Sequence, residues 1–333
     1  MLKKQAKMDK NHNSQSNGSL RVENINFHPQ CGINPGYQKD GRALSYNLTQ
    51  KYIIDKKDFL NKIIEKITQR YSKTNSIRIL EPGCGPGNIT AFYLLGKKML
   101  QSFERIEIEC ADLSNEMALL INKYLKEREN EINNSNCTVN LRITSGLCLI
   151  DPIYYEKMDK KKLFDVVLLS QFEHYFPNSD NSPLAEKLRK NNISFMIKDQ
   201  YIQFVYDFLM NDGSMLIIID DEENEDANVR KANDDKWDEY VAVNLNKNID
   251  KISKINKEIA DKIYRAYNSK GLNPKDVAGQ IRIHRREECN EEIRPLSISI
   301  SSLKRIFGNE NVEYFRHKDN LLSRFYLIIA YKG

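Results

Sequence analysis

Three stretches of the chain carry residue types that can do chemistry together. The first is "ILEPGCGPGNIT", residues 79–90, in which Gly83, Gly85 and Gly87 follow Glu81. Glycine lets the backbone turn through left-handed conformations and removes a Cβ from the path of a ligand. The second is "RIEIECADLS", residues 105–114, an alternating stretch that ends at Asp112, with Leu113 next. A carboxylate at such a strand end can accept hydrogen bonds from two ribose hydroxyls, which implies a nucleoside-bearing cofactor. The third is "FDVVLLSQFEHYF", residues 164–176, which places Ser170, Gln171, Glu173, His174 and Tyr175 directly after an apolar run. An imidazole such as that of His174 exchanges its proton near neutral pH, so His174 is the candidate base. Glu173 flanks it.

The spacing of the glycines narrows the ligand. A dinucleotide turn has GxGxxG, whereas this one has GxGxG, and Gly87 is followed by Asn88 rather than by the Lys of a phosphate-binding loop. An acid such as Glu81 is unfavourable beside a pyrophosphate and suits a ligand that carries an ammonium group.

These motifs need strands and helices to hold them. "SIRILE" (76–81) reads as a buried strand leading into the glycines, and "NITAFYLLGKKML" (88–100) as a helix interrupted at Gly96. After the second strand, Ser114 caps a helix over 114–130 with Met117, Leu120, Ile121 and Tyr124 on one face. "TVNLRITSG" (138–146) is a third strand and "LFDVVLLSQ" (163–171) a fourth, covered on both faces. A helix over 201–213 and a fifth strand over 214–220 complete the alternation, which predicts a parallel sheet with helices on both faces. The tail, 311–333, has two strands and no room for a crossover helix, so an antiparallel hairpin is expected.

With these residues in place, the chain resembles the class I S-adenosylmethionine-dependent methyltransferases. The resemblance rests on "EPGCGPG", on Asp112, on "FDVVLLSQFEHYF" and on the terminal hairpin, and covers about 76–220 and 300–333. It implies a Rossmann-like α/β fold and S-adenosylmethionine as the cofactor. Gly83, Gly85 and Gly87 would then wall the methionine part, with Glu81 near its amino group. Asp112 would take the ribose, and Leu113 would lie against the adenine. Many members of the family place an acid after the third strand for the adenine amino group. Here "SGLCL" leaves that task to Ser145, Gly146 or Leu147, and Ser170 lines the cofactor from the fourth strand.

The absence of Asp-Pro-Pro-Tyr or Asn-Pro-Pro-Tyr speaks against one large group of amino-group methylases, and the lack of a Pro-Cys pair against covalent cytosine chemistry. Tyr37 and Tyr46, ahead of the first strand, and Gln171, Tyr175, Trp237 and Tyr240 are candidates for the substrate side. The expected activity is methyl transfer to an O or N atom of a small molecule. The alternatives are an RNA or protein acceptor, or a cofactor-binding module without turnover. Nucleic acid is the less favoured partner, because 220–240 is strongly acidic and phosphate binding rests on Lys and Arg.

The 333 residues divide, on this reading, into a polar arm without structure (1–25) and a helical lid segment (26–75). The core (76–220), a helical insertion over the substrate side (221–300) and the hairpin (301–333) follow. The insertion contains an apolar stripe of Ile249, Ile252, Ile255, Ile259 and Ile263 at helical spacing. No apolar run is long enough to span a membrane, and the N-terminus lacks the apolar core of a secretory signal. Six dispersed cysteines without short pair spacings fit a reducing, cytoplasmic setting and no metal site. The sequence says nothing of oligomeric state.

Overall fold

The computed structural model describes residues 18–26, 56–146, 163–170, 175–221, 294–316 and 325–333, with residues 155, 172, 243, 247, 250, 254 and 292. Among these residues eight strands form one sheet: β1 (Ser19–Asn26), β2 (Ser76–Pro82), β3 (Arg105–Asp112), β4 (Thr138–Ser145), β5 (Phe164–Ser170), β6 (Met210–Asp221), β7 (Val312–Arg316) and β8 (Phe325–Tyr331). Their order across the sheet is β1-β4-β3-β2-β5-β6-β8-β7. From β2 the chain builds outward through β3 and β4, then returns to the other side of β2 for β5 and β6. That reversal puts a crevice between the carboxyl ends of β2 and β5, where open sheets of this kind bind ligands. β8 runs antiparallel between β6 and β7, as the short connection in the sequence requires.

Alternation along each strand feeds two cores. Val166 and Leu168 of β5 join Ile77, Ile79, Ile108 and Leu141 on one face. Val167 and Leu169 join Leu80, Leu216 and Ile218 on the other. A strand buried on both sides needs an unbroken apolar run, and "VVLL" supplies it. The first face is covered by α1 (Lys57–Arg70), α2 (Lys97–Ser102) and α3 (Asn115–Asn133). On α1, Phe59, Ile63 and Ile67 make a stripe at helical spacing that lies on the sheet. The second face is covered by α4 (Pro183–Lys190), α5 (Lys198–Phe204) and α6 (Leu296–Phe307), through Leu184, Leu188, Tyr201, Ile202 and Leu303.

Several boundaries differ from the sequence expectation. The polar arm was expected to lack structure through residue 25. Instead Ser19–Asn26 forms β1, a parallel edge strand whose pairing runs from Ser19–Thr138 to Asn26–Ser145. Its backbone bonds to β4 and the packing of Leu20 on the first core offset a weak hydrophobic pattern. The described part of the expected lid segment, α1, belongs to the core. The helix expected to reach Gly213 ends earlier: α5 passes into a single π turn at Val205–Leu209, and β6 begins at Met210. Helices α4 and α6 were not anticipated, although Ser182 followed by Pro183 is a helix-start signal, and the Ser182 hydroxyl does cap α4 at Ala185 N (3.2 Å). The region around 249–267 lies outside the described residues, apart from isolated positions.

The chain that leaves the sheet at Asp221 re-enters described structure on a dense polar clamp. Glu292 accepts the backbone N–H groups of Asn178 (2.7 Å) and Leu184 (2.8 Å). Arg294, 7% exposed, donates to Asp199 on α5 at 2.8 Å and to Ser299 on α6 at 2.9 Å. Ser302 and Arg305 complete the set around Asp199 at 3.1 and 2.9 Å. Burial alone would raise the Asp199 carboxyl, but Arg294, Ser302 and Arg305 together hold it below the usual range.

Arg294→Ala should therefore cost about 1–3 kcal/mol at neutral pH, below the range for a fully buried pair because Asp199 is partly exposed. Urea unfolding at several pH values checks this. A depressed carboxyl contributes above its unfolded pKa of about 3.9, so the gap between variant and wild type should narrow below about pH 4. A gap that holds constant down to pH 2 would show that the carboxylate is not the partner that matters.

Candidate functional site

The glycine turn leaves β2 with three left-handed residues: Gly83 at φ 68°, Gly85 at φ 55° and Gly87 at φ 72°. Two of them are required by the protein's own packing as well. A Cβ on Gly83 would fall 2.3 Å from the Phe172 ring, and one on Gly87 would fall 2.4 Å from Ile121. The third connects the turn to the neighbouring strand. Gly85 N–H donates to Asp112 Oδ2 at 2.9 Å, while Ser114 N–H donates to Oδ1 at 2.8 Å. Cys84 N–H reaches the Ala111 carbonyl at 3.1 Å, and Gly146 N–H the Asp112 carbonyl at 3.1 Å. Asp112 thus sets the β2 turn, the start of α3 and the end of β4 relative to one another. Each of its oxygens retains a lone pair for a hydroxyl donor. Burial pushes its carboxyl up to about 6 against the pull of the Ser114 and Gly85 N–H groups.

Glu81 sits beneath this turn, 1% exposed. Thr90 Oγ1 donates to its Oε2, and since that hydroxyl has one proton, the Cys110 thiol is the donor in its 3.2 Å contact with Thr90. Oε1 is buried and has no hydrogen-bond partner among the described residues. Burial, helped by the nearby charge of Asp112 and opposed by Thr90, pushes the Glu81 carboxyl up to about 8. A buried acceptor left unpaired costs roughly 1–3 kcal/mol, which a cationic donor would recover. The Cys84 thiol is pushed well up by its hydrogen bond with Cys110 and by burial, so it is not a nucleophile at neutral pH. Cys84, Cys110 and Cys137 are free and buried.

Beyond β5, Phe172 lies 4% exposed with its ring edge-on to Phe176 (centroids 5.3 Å) and tilted against Tyr175 (6.4 Å). Phe176 stacks on Tyr201 at 4.1 Å, and Tyr201 OH meets Tyr155 OH at 2.9 Å. This aromatic block sets the segment after the fourth expected strand against the glycine turn. The structure thus brings Glu81, Gly83, Gly85, Gly87, Asp112 and Leu113 to one end of the sheet. Ser145, Gly146, Ser170 and Tyr175 share that end. Tyr37, Tyr46, Leu147, Gln171, Glu173, His174, Trp237 and Tyr240 lie outside the described residues. Sequence reasoning missed Thr90, Phe172 and Ser114 as partners of the site. Only Ser114 carried a legible signal, as a helix cap. No group of His, Cys, Asp and Glu among the described residues could hold a metal ion.

The residues fit the cofactor that the resemblance implies on two grounds. Glu81 presents an orphaned buried acceptor of the kind an ammonium would satisfy. Asp112 is already oriented by backbone donors, with capacity left for ribose hydroxyls.

No protein-family model and no curated protein matches the sequence. Solved structures do match. The CurJ carbon methyltransferase is 12% identical, with 86% of this chain and 58% of that one covered and a TM-score of 0.46. For the CMeT domain of the citrinin polyketide synthase the values are 14%, 85%, 55% and 0.47. For the cyclase SpnF they are 13%, 82%, 80% and 0.37. The chain spans a little over half the length of the first two.

Glu81→Gln tests the buried carboxyl. In the protein without ligand, the folded state keeps the Glu81 proton to about pH 8 while the unfolded chain releases it near 4.5. Wild-type stability should therefore fall as pH rises through that window. The variant should be the more stable by at least about 1.4 kcal/mol at pH 8, the equivalent of one pH unit. Thermal unfolding from pH 5 to 9 measures it, and parallel curves would place the Glu81 carboxyl in an ordinary environment. By its own strand order, its switch point between β2 and β5 and its terminal antiparallel hairpin, this chain has the class I methyltransferase fold.

Proposed function

We propose that the chain is an S-adenosylmethionine-dependent methyltransferase that acts on an O or N atom of a small molecule. The observation that carries the cofactor reading is the unpaired buried oxygen of Glu81 beneath a glycine turn that Asp112 ties to β3. Glu81 would hold the amino group, Asp112 the ribose, and Leu113, Ser145 and Gly146 the base. The bound sulfonium would supply the methyl group, so this chain's own task is to place the acceptor in line and to manage its proton. His174, directly after β5, is the candidate base, with Glu173 beside it.

A small acceptor is favoured by where the two ends of the insertion are anchored. It departs from the carboxyl end of β6 at Asp221, and its return at Glu292 is bonded to Asn178 and Leu184, in the segment that follows β5. Both anchors stand on the ligand side of the sheet, which supports the expectation that the insertion covers a substrate, and the acidic sequence at its start suits an amine-bearing acceptor. Among the described residues no helix is long and apolar enough to cross a membrane.

Asp112→Ala should weaken S-adenosylmethionine binding by about 1–3 kcal/mol, the scale of charge-assisted hydrogen bonds. Titration calorimetry reads this directly, and unchanged affinity would remove Asp112 from the site. With an acceptor in hand, His174→Ala should lower kcat by about 10²–10⁴ and leave cofactor affinity nearly intact. A loss below tenfold would leave positioning, without a base, as the catalytic device.

A further inference from the structure

The edge strand β1 ends beside the nucleoside side of the site. Asp112 pairs in register with Ser145, and Ser145 with Asn26. Paired residues in parallel strands point to the same face, about 4.8 Å from one strand to the next. The three side chains therefore form a polar row across adjacent strand ends, leading outward from Asp112 to the sheet edge. Ser145 is fully buried, and its hydroxyl donates to Asn26 Oδ1 at 2.8 Å. Asn26 itself is exposed. Among the described residues its Nδ2 has no partner, and Oδ1 keeps a second lone pair. Gly146, at φ 80°, turns the chain immediately beyond Ser145. Two residues before Asn26 and on the same face of β1, Asn24 Oδ1 accepts from Asn122 of α3 at 2.9 Å, which ties this end of β1 to the helix.

A carboxamide so held offers an acceptor and a donor side by side. That is the pattern which pairs with adenine's exocyclic amino group and an adjacent ring nitrogen. We propose that Asn26 reads the base of the bound nucleoside, accepting from the amino group on Oδ1 and donating to a ring nitrogen from Nδ2, with the Ser145 hydroxyl fixing the amide's orientation. The inference rests on the reading of Asp112 as the ribose acid. It supplies a partner for the adenine amino group in a chain that has no acid directly after β4.

The test compares binding of S-adenosylhomocysteine with that of its inosine counterpart, in which a carbonyl replaces the amino group and the adjacent ring nitrogen becomes a donor. The full chain is titrated with each by calorimetry. Wild type should favour the adenosine form by about tenfold or more, the lower end for one bidentate pair. Asn26→Ala should lose about tenfold on the adenosine form and little on the inosine form, whatever the loss of the Ser145 bond does to the thermal midpoint of the unliganded protein. Asn26→Asp keeps an acceptor for Ser145 and removes the donor, so it should retain part of the discrimination. If both variants lower the thermal midpoint and weaken the two ligands equally, Asn26 only supports the strand and the inference falls. Wild type that binds both ligands equally also overturns it, while leaving the cofactor reading intact. Wild type that binds neither ligand, nor S-adenosylmethionine, overturns that reading and the inference with it.

Discussion

The Asp112 carboxylate accepts one backbone N–H from Gly85 and one from Ser114, and much of this molecule's ligand end is arranged around that pair of bonds. One bond draws the glycine turn from β2 across to β3. The other fixes the first turn of α3, whose Ile121 then closes against Gly87. Hydrogen bonds to a charged acceptor are about twice as strong as neutral ones, so this acid can hold Gly85 in a conformation that other residues avoid. The burial that raises the Asp112 carboxyl and the donors that lower it are the same neighbours that position it.

Glu81 follows a different logic. It has one side-chain donor, Thr90, and among the described residues no partner for its second oxygen, although the side chain is buried. A buried polar group left unpaired costs free energy that a ligand donor can recover. Asp112 thus has a protein donor on each oxygen and lone pairs to spare, whereas one oxygen of Glu81 has no partner among the described residues. The aromatic block of Phe172, Phe176 and Tyr201 forms the rigid wall behind them. Its rings replace hydrogen-bonded contacts with packing, and Gly83 is the position where that packing meets the turn.

Where the chain returns at Glu292 and Arg294, polar clamps join the apolar packing of Leu296 and Leu303. Glu292 uses both oxygens on backbone donors near α4, and Arg294 bridges α5 and α6 through Asp199 and Ser299. Such contacts specify a path for the chain, since each donor and acceptor must be met with its own geometry.

The sequence by itself determined the alternation of strands and helices over β2 to β6, the antiparallel tail, the cap at Ser114 and the placing of Glu81, the glycines and Asp112 at strand ends. These are local matters of periodicity, capping and turn chemistry, and each is written within a few residues. The tertiary structure decided that Ser19–Asn26 is a strand, because its stability comes from pairing with β4, far away in the chain. It also decided where α5 gives way to β6, where α6 lies, and what the glycines face. Gly83 and Gly87 meet Phe172 and Ile121, residues that spacing alone could not bring to them. The row from Asp112 through Ser145 to Asn26 exists only once three separate strands lie in register, and register is a property of the sheet rather than of any one segment.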